Sequence, residues 1–302
     1  MLGRRQIREK VLQFIYAHNN NTNTIETTEK NLLQSIELIY NLYVYQLNLI
    51  LAFRKVSTQI METGKKKNFP TDEELNPNKK FINNRIFSKL EDNKELNEFT
   101  SKHSELTWNE NDHYPTKIFK KFYETDAYKK YLYSKTDSFD LDKEIIVKIF
   151  NKYIAENEDL IEWYEDINLS WADDFHIANA MTFKTVKNLS EDKESHTLIK
   201  IFKDNEDRIF AKNLLFQTIS HQKKYLEEIN KRSNNWNIER IAEIDKIILC
   251  MALCEFEFFP ENPDRVVINE YIELSKTFST DKSNIFINGI LDKFVKDKST
   301  NH

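Results

Sequence analysis

Glycine is scarce in this chain of 302 residues, which contains only Gly3, Gly64 and Gly289. Average usage of about 7% would give roughly 21 glycines. Dinucleotide-binding and phosphate-binding loops need clustered glycines, because only a residue without Cβ lets the backbone close on phosphate oxygens. With only five prolines, the chain also has few residues for the hairpin turns of strand-rich folds. We therefore expect an all-α protein with no cofactor.

Cysteine is rare too, and long apolar runs are missing. Cys250 and Cys254 lie four residues apart in a predicted helix, where a disulfide would distort the backbone, so we interpret them as buried thiols. No apolar run approaches the roughly 20 residues of a membrane span, and the first residues mix charge into the apolar pattern, unlike a signal peptide. We expect a cytoplasmic protein without a membrane anchor. The net charge of -5 restricts any polyanion site to a local patch.

Apolar residues recur at helical spacing through most of the chain. The predicted helices are 2–18, 27–61, 78–102, 116–133, 140–165, 174–188, 206–230, 236–259, 265–278 and 281–296. Residues 64–79, with two prolines and a lysine run, read as a linker or an exposed loop. The tyrosine-rich middle of the chain is interpreted as core, with an additional binding face as the alternative.

The most detailed predictions concern the last two helices, 265–278 and 281–296. Asp264 is the expected N-cap of the first. The second should bury five apolar side chains, namely Ile285, Phe286, Ile290, Leu291 and Phe294. Gly289 lies inside this second helix at a cost of roughly 1 kcal/mol relative to alanine, which suggests a tight helix crossing.

Two stretches near the ends of the chain contain distinctive motifs. The first is RRQIREKVLQFIYA, from Arg4 to Ala17; the second, 238–293, combines VVINEYIELSK with F-x-N-G-I-L-D-K from Phe286 to Lys293. Both resemble the NusB family of bacterial transcription antitermination factors. With the helix near 206–230, the resemblance covers little more than a third of the chain, so the protein looks like a version with a long insertion.

The resemblance implies two packed helical bundles and no catalysis. Residues 1–17 and 204–235 would belong to the N-terminal bundle, 236–302 would form the C-terminal bundle, and 18–203 would be a helical insertion. Family members pair with NusE, a protein of the small ribosomal subunit, and the pair binds the boxA element of nascent RNA. That assembly joins the RNA polymerase antitermination complex, notably on ribosomal RNA operons. Part of the family dimerises, and the sequence leaves a homodimer open.

Two groups of residues are candidates for RNA contact. A basic first helical turn with free backbone N–H groups suits phosphates, and hydroxyls at a helix start with a nearby lysine and phenyl ring suit a phosphate and an unpaired base. The first group is Arg4, Arg5 and Arg8; the second is Ser279, Thr280, Lys282, Ser283 and Phe286. A solvated basic face and core packing of Phe286 are the alternatives. Where Lys282 stands, the family often has an acidic residue.

Acidic side chains of the C-terminal helices are the candidate docking positions for the basic partner NusE, because charge complementarity favours association. They are Glu239, Asp245, Glu270 and Glu273, with a merely solvated helix face as the alternative. The seven histidines lack the spacing of a metal site, and no metal is expected.

Two other functions remain open. An interaction protein could act through the insertion without RNA. A ribosomal RNA methyltransferase is the third alternative, because NusB-like domains also occur fused to such enzymes, but no glycine-rich cofactor loop is present here.

Overall fold

The computed structural model describes residues 1–193, 196–232 and 241–300. It is 76% helical, and no strand occurs in the described ranges, which confirms the all-α prediction. The helices are α1 (Arg4–Asn19), α2 (Ile25–Lys65), α3 (Asp72–Leu75), α4 (Arg85–Glu91), α5 (Lys94–Lys102), α6 (His113–Tyr123), α7 (Asp126–Leu132), α8 (Phe139–Ile149), α9 (Glu158–Ile167), α10 (Leu169–Asn188), α11 (Asn205–Arg232), α12 (Glu243–Phe258), α13 (Asp264–Phe278) and α14 (Ser283–Thr300). A 3-10 turn spans Ser104–Leu106, and a π-helical turn, Phe150–Ile154, follows α8.

The chain divides into two compact units. Unit 1 contains residues 1–36 and 202–302, and unit 2 contains residues 37–201. Both stretches that carry the family resemblance therefore belong to unit 1. The boundaries predicted for the insertion, 18–203, remain a prediction.

Helix α12 is the central element of unit 1. It packs against α1, α11, α13 and α14, and every residue from 247 to 256 is buried, as expected for a helix that is covered on all sides. Cys250 and Cys254 are fully buried on this helix, which confirms their interpretation as buried thiols. Burial raises the pKa of each thiol to about 12. The predicted helix 236–259 begins later, at Glu243, and residues 236–240 lie outside the described residues.

The last two helices differ from the prediction in several details, among them Phe286 and Phe294, which are half-buried where burial was expected. Pro263, not Asp264, occupies the N-cap of α13; Asp264 is the first helical residue, where its charge favours the helix dipole. Ile285 is 74% exposed, because the buried face of α14 runs through Ser283, Ile287 and Ile290, and Ile285 lies off that face. A Cβ built on Gly289 meets no atom within 4 Å, so the expected tight helix crossing is wrong.

Helix α2 is long and apolar enough to pass a length and composition test for a membrane span. Its most apolar window of 18 residues has a mean hydropathy of 1.3, and 61% of that window is buried inside the protein. Core helices pass the same test, so this is weak evidence for a span. Gln46 lies fully buried on α2, where its amide accepts from Thr182 and donates to Asn179. Such satisfied polar contacts are typical of a core helix.

Aromatic side chains form much of the core of unit 2. The Tyr45 ring stacks on Trp108 with ring centroids 4.2 Å apart, and the Tyr43 hydroxyl lies 2.6 Å from Thr185 Oγ1. Tyr128 and Tyr131 are buried as well. The interpretation of the tyrosine-rich middle as core is confirmed for these residues.

The predicted elements of unit 2 are more finely divided than their periodicity indicated. The stretch 78–102 contains α4 and α5, separated where Asn93 accepts the backbone N–H of Leu96 as an N-cap. The loop 64–79 contains the short helix α3, which starts at a capping box between Thr71 and Glu74. Side-chain caps of this kind end one helix and begin the next without changing the apolar spacing.

Candidate nucleic-acid interface

Arg8 lies inside unit 1, not on its surface. Its side chain is 3% exposed, and its guanidinium forms a two-pronged pair with Glu255, with Nε donating to Oε2 at 2.9 Å. Glu255 also accepts from the Tyr271 hydroxyl and from Asn262 Nδ2, each at 2.8 Å. Burial alone lowers the pKa of a guanidinium, but the hydrogen bonds to Glu255 hold the pKa of Arg8 above its ordinary value. Arg8 therefore joins α1 to α12 and is too buried to reach an anion in solution.

Arg5 lies at the surface, beside Arg8 along the helix. Its side chain is 45% exposed, and Nε and one terminal nitrogen donate to the Glu270 carboxylate at 2.9 and 2.8 Å. These bonds raise the pKa of Arg5 and lower that of Glu270. A guanidinium has five N–H donors, so three remain for an anion.

Arg4 is half-buried at the same helical start. One terminal nitrogen donates to Asn262 Oδ1 at 2.8 Å, and Nε lies 3.6 Å from Asp207. The guanidinium covers the Phe210 ring, 4.9 Å from its centroid. Two protein partners and a ring thus orient Arg4, whose side chain is 34% exposed.

The hydroxyl groups of the predicted cluster at the start of α14 hydrogen-bond to one another and to α12. Ser283 is buried, and its hydroxyl donates to Asp245 Oδ2 at 2.8 Å. Because that proton is used, the hydroxyls of Ser279 and Thr280, at 2.9 and 2.8 Å from Ser283 Oγ, must donate to it. This network holds the loop against α12 and leaves Thr280 and Lys282 exposed.

Phe286 follows one turn into α14 and is half-buried. Its ring is therefore neither a core side chain nor a fully open stacking surface. Neighbouring Ile285, which was predicted to be buried, is instead the most exposed apolar side chain of this turn.

The two predicted groups lie at opposite ends of α12. Arg8 contacts Glu255 near its C-terminal end and Arg4 contacts Asn262 just beyond it, whereas Ser283 contacts Asp245 in its first turn. Ten residues of helix separate Asp245 from Glu255, or about 15 Å. The structure brings the members of each group together but does not merge the groups into one cluster.

The four acidic positions differ in accessibility. Asp245 is 6% exposed and serves the hydroxyl cluster. Glu270 is held by Arg5, with Arg8 at 3.7 Å. Glu273 has a side chain 43% exposed and pairs with Lys276 at 2.6 Å. Glu239 lies outside the described residues.

Sequence reasoning missed Glu255 and Asn262 as partners of the arginines. The signal for Glu255 was present, since it is the one charged side chain in the buried stretch 247–256, and a buried charge demands a partner. Asn262 gave no comparable signal, because it stands in a proline-flanked turn.

Comparison with known proteins places these features in a family. The family model described as NusB family matches residues 175–296. A protein of Natranaerobius thermophilus named transcription antitermination protein NusB is 45% identical over 84 residues, covering 28% of this chain and 60% of that protein. Proteins of the same name from Salinibacter ruber and Oleidesulfovibrio alaskensis are 38% and 36% identical, over 34% and 40% of this chain and 65% and 82% of their own lengths. No solved structure matches the chain.

Proposed function

Because the chain belongs to the NusB family, we propose that it is a transcription antitermination adaptor that binds boxA-type single-stranded RNA together with NusE. The proposal extends to ribosomal RNA transcription within the RNA polymerase antitermination complex, in the cytoplasm and without catalysis. One observation carries it: the two stretches that resemble the family, far apart in sequence, fold into the same unit and are joined by the Arg8–Glu255 and Arg5–Glu270 pairs.

We assign the RNA contact to the accessible members of the two groups. Arg4 and Arg5 retain donors toward solvent, and Lys282 is exposed. The first backbone N–H groups of α1 and the positive end of its dipole add to the attraction for phosphate. Arg8 and Ser283 instead position the helix and the loop that carry these contacts.

The NusE contact is proposed at Glu273, whose carboxylate is the most accessible of the predicted acidic positions that the structure describes. A rim charge of this kind influences the rate of association more than the affinity. Charge reversal, Glu273→Lys, should therefore slow NusE binding, and the effect should diminish at high salt.

The direct test is a fluorescence anisotropy titration of the full chain with labelled boxA RNA, with and without NusE. Three phosphate contacts predict a log–log salt slope near -2, from about -0.7 for each phosphate of a single strand. The variant Arg4→Ala/Arg5→Ala/Lys282→Ala should bind RNA weakly and should lose most of that slope.

A matched control removes three exposed lysines elsewhere in unit 1, in the variant Lys203→Ala/Lys223→Ala/Lys231→Ala. It should leave boxA binding nearly unchanged. Unchanged RNA affinity in the first variant contradicts the proposed contacts. If the unmodified chain binds no boxA RNA with NusE present, the alternative function is favoured, that of an interaction protein acting through the segment 18–203.

A further inference from the structure

A groove of about 640 Å³ lies in unit 2. Its walls come from the last turns of α2, the segment 64–77 and α6. Among its lining residues are Ile60, Gly64, Thr71, Lys120 and Tyr123. We call this site, together with the adjoining Lys65, Lys66 and Phe69, the lysine groove.

The surroundings of the lysine groove are basic, although the whole chain is acidic. Residues 64–80 and 113–136 contain eleven lysines and five carboxylate side chains, whereas the net charge of the chain is -5. Lys65, Lys66 and Lys120 are exposed and form no ion pair within the part of the chain that the structure describes. A polyanion could therefore bind them without first breaking a salt bridge.

The two carboxylates that line the groove are already engaged. Glu74 pairs with Lys67 and accepts the backbone N–H of Thr71 at 2.9 Å. Glu73 accepts from the Tyr133 hydroxyl at 3.2 Å. These contacts reduce the repulsion that free carboxylates would exert on a bound anion.

Aromatic rings stand among these lysines. Phe69, between the groove residues Lys67 and Thr71, is 94% exposed. Tyr123 lines the groove, is exposed, and lies 5.1 Å from the buried ring of Tyr128. Most other aromatic side chains of unit 2 are buried, so an exposed tyrosine that lines the groove and an exposed phenyl ring in the segment that forms its wall mark a binding surface more than a packing surface.

We propose that the lysine groove binds single-stranded RNA without reading its sequence. Lysines would contact successive phosphates, and Phe69 and Tyr123 would stack on bases, the combination that sequence-tolerant single-strand binding uses. A concave site with rings interleaved among cations fits a flexible strand better than a lipid surface, which favours a long amphipathic helix lying flat. Its residues belong to unit 2, whereas the α1 and α14 contacts belong to unit 1, and the inference does not rest on the function proposed above.

The test uses the full chain carrying Arg4→Ala/Arg5→Ala, so that the proposed contacts of unit 1 contribute little. The probe is a fluorescein-labelled oligouridylate of about 12 nucleotides, within the range of single-strand sites. Reversing three charges, Lys65→Glu/Lys66→Glu/Lys120→Glu, should weaken binding by about tenfold or more and should reduce the salt slope by about 2. Phe69→Ala should weaken binding by at least about fivefold with the salt slope unchanged.

The matched control, Lys94→Glu/Lys148→Glu/Lys184→Glu, makes the same charge change at exposed lysines of unit 2 outside the groove, and should weaken binding by no more than about twofold, a screened long-range effect. With 4-thiouridine in the probe, crosslinked peptides should map to 59–77 or 113–123. Equal losses in the two triple variants, crosslinks confined to unit 1, or binding to phosphatidylglycerol vesicles but not to RNA would each overturn the proposal. Failure of this test does not bear on boxA binding by unit 1, because the anisotropy titration with boxA RNA tests that binding separately.

Discussion

Removing the carboxylate of Glu255 should destabilise unit 1 strongly. Glu255 is fully buried and accepts four hydrogen bonds, two from Arg8 and one each from Tyr271 and Asn262. In Glu255→Gln, the buried guanidinium keeps its charge but loses its counter-ion. Breaking one side of a buried pair costs about 3–5 kcal/mol. Because Glu270 Oε2 still lies 3.7 Å from Arg8, we expect the lower end, about 3 kcal/mol.

Urea denaturation at pH 7, followed by circular dichroism, measures this loss. The control is Arg5→Ala, which breaks a pair at the surface and should cost at most about 1 kcal/mol. The double variant Arg8→Met/Glu255→Leu removes both charges, and it should recover much of the stability lost in Glu255→Gln, because paired charges can often be replaced by apolar side chains. A cost of Glu255→Gln no larger than that of Arg5→Ala would refute the assignment of a buried, uncompensated charge.

Three further predictions concern the same unit. Gly289→Ala should raise the free energy of unfolding by about 0.5–1 kcal/mol, since a Cβ there meets no atom and the residue has a helical backbone; a lower urea midpoint would contradict this. Asp245→Asn should weaken the hydroxyl network at the start of α14 and speed hydrogen exchange in its first turn, whereas unchanged exchange would mean that Ser283 needs no charged acceptor. The bonds from Arg5 lower the pKa of Glu270 in the folded protein. Their contribution to the free energy of unfolding is therefore present above the unfolded pKa of about 4.3 and is lost as the pH falls through the lower folded pKa. The difference in free energy of unfolding between the unmodified chain and Glu270→Gln should be constant from about pH 7 to 5 and should shrink in acid.

Helices were predictable from the sequence where apolar spacing and a breaker coincide. The tract 18–24 separates α1 from α2, and Pro260 with Pro263 separates α12 from α13, close to the predicted positions. The splits inside 78–188 were not predictable from periodicity, because caps such as Asn93 interrupt the backbone without disturbing the apolar face. The burial of Ile287 in place of Ile285 has a similar origin: a start at Ser283 fixes the phase of α14, and spacing alone leaves that phase open.

The candidate site was predictable as a set of residues but not as an arrangement. Arg4 and Arg8, four apart, share a helical face, and the sequence suggested equal roles for them. The residues that separate those roles, Glu255 and Asn262, are some 250 positions further along the chain. A charge pattern indicates which side chains attract an anion, but only tertiary packing decides whether their donors are already occupied.

The arginine-rich start of α1 thus combines two physically different tasks. Arg8 pairs within the protein, where Glu255 compensates its charge, and this pairing fixes the start of α1 against α12. Arg4 and Arg5, one turn earlier, have partly exposed guanidinium groups, with Asn262 and Asp207 beside Arg4 and Glu270 beside Arg5. When the helix start is held rigidly, a guanidinium that it carries loses less conformational entropy on binding an anion. If substitution of Arg8 abolishes RNA binding, the cause would therefore be that the start of α1 is no longer held in place. The same loss on substitution of Arg5 would indicate a direct contact with RNA.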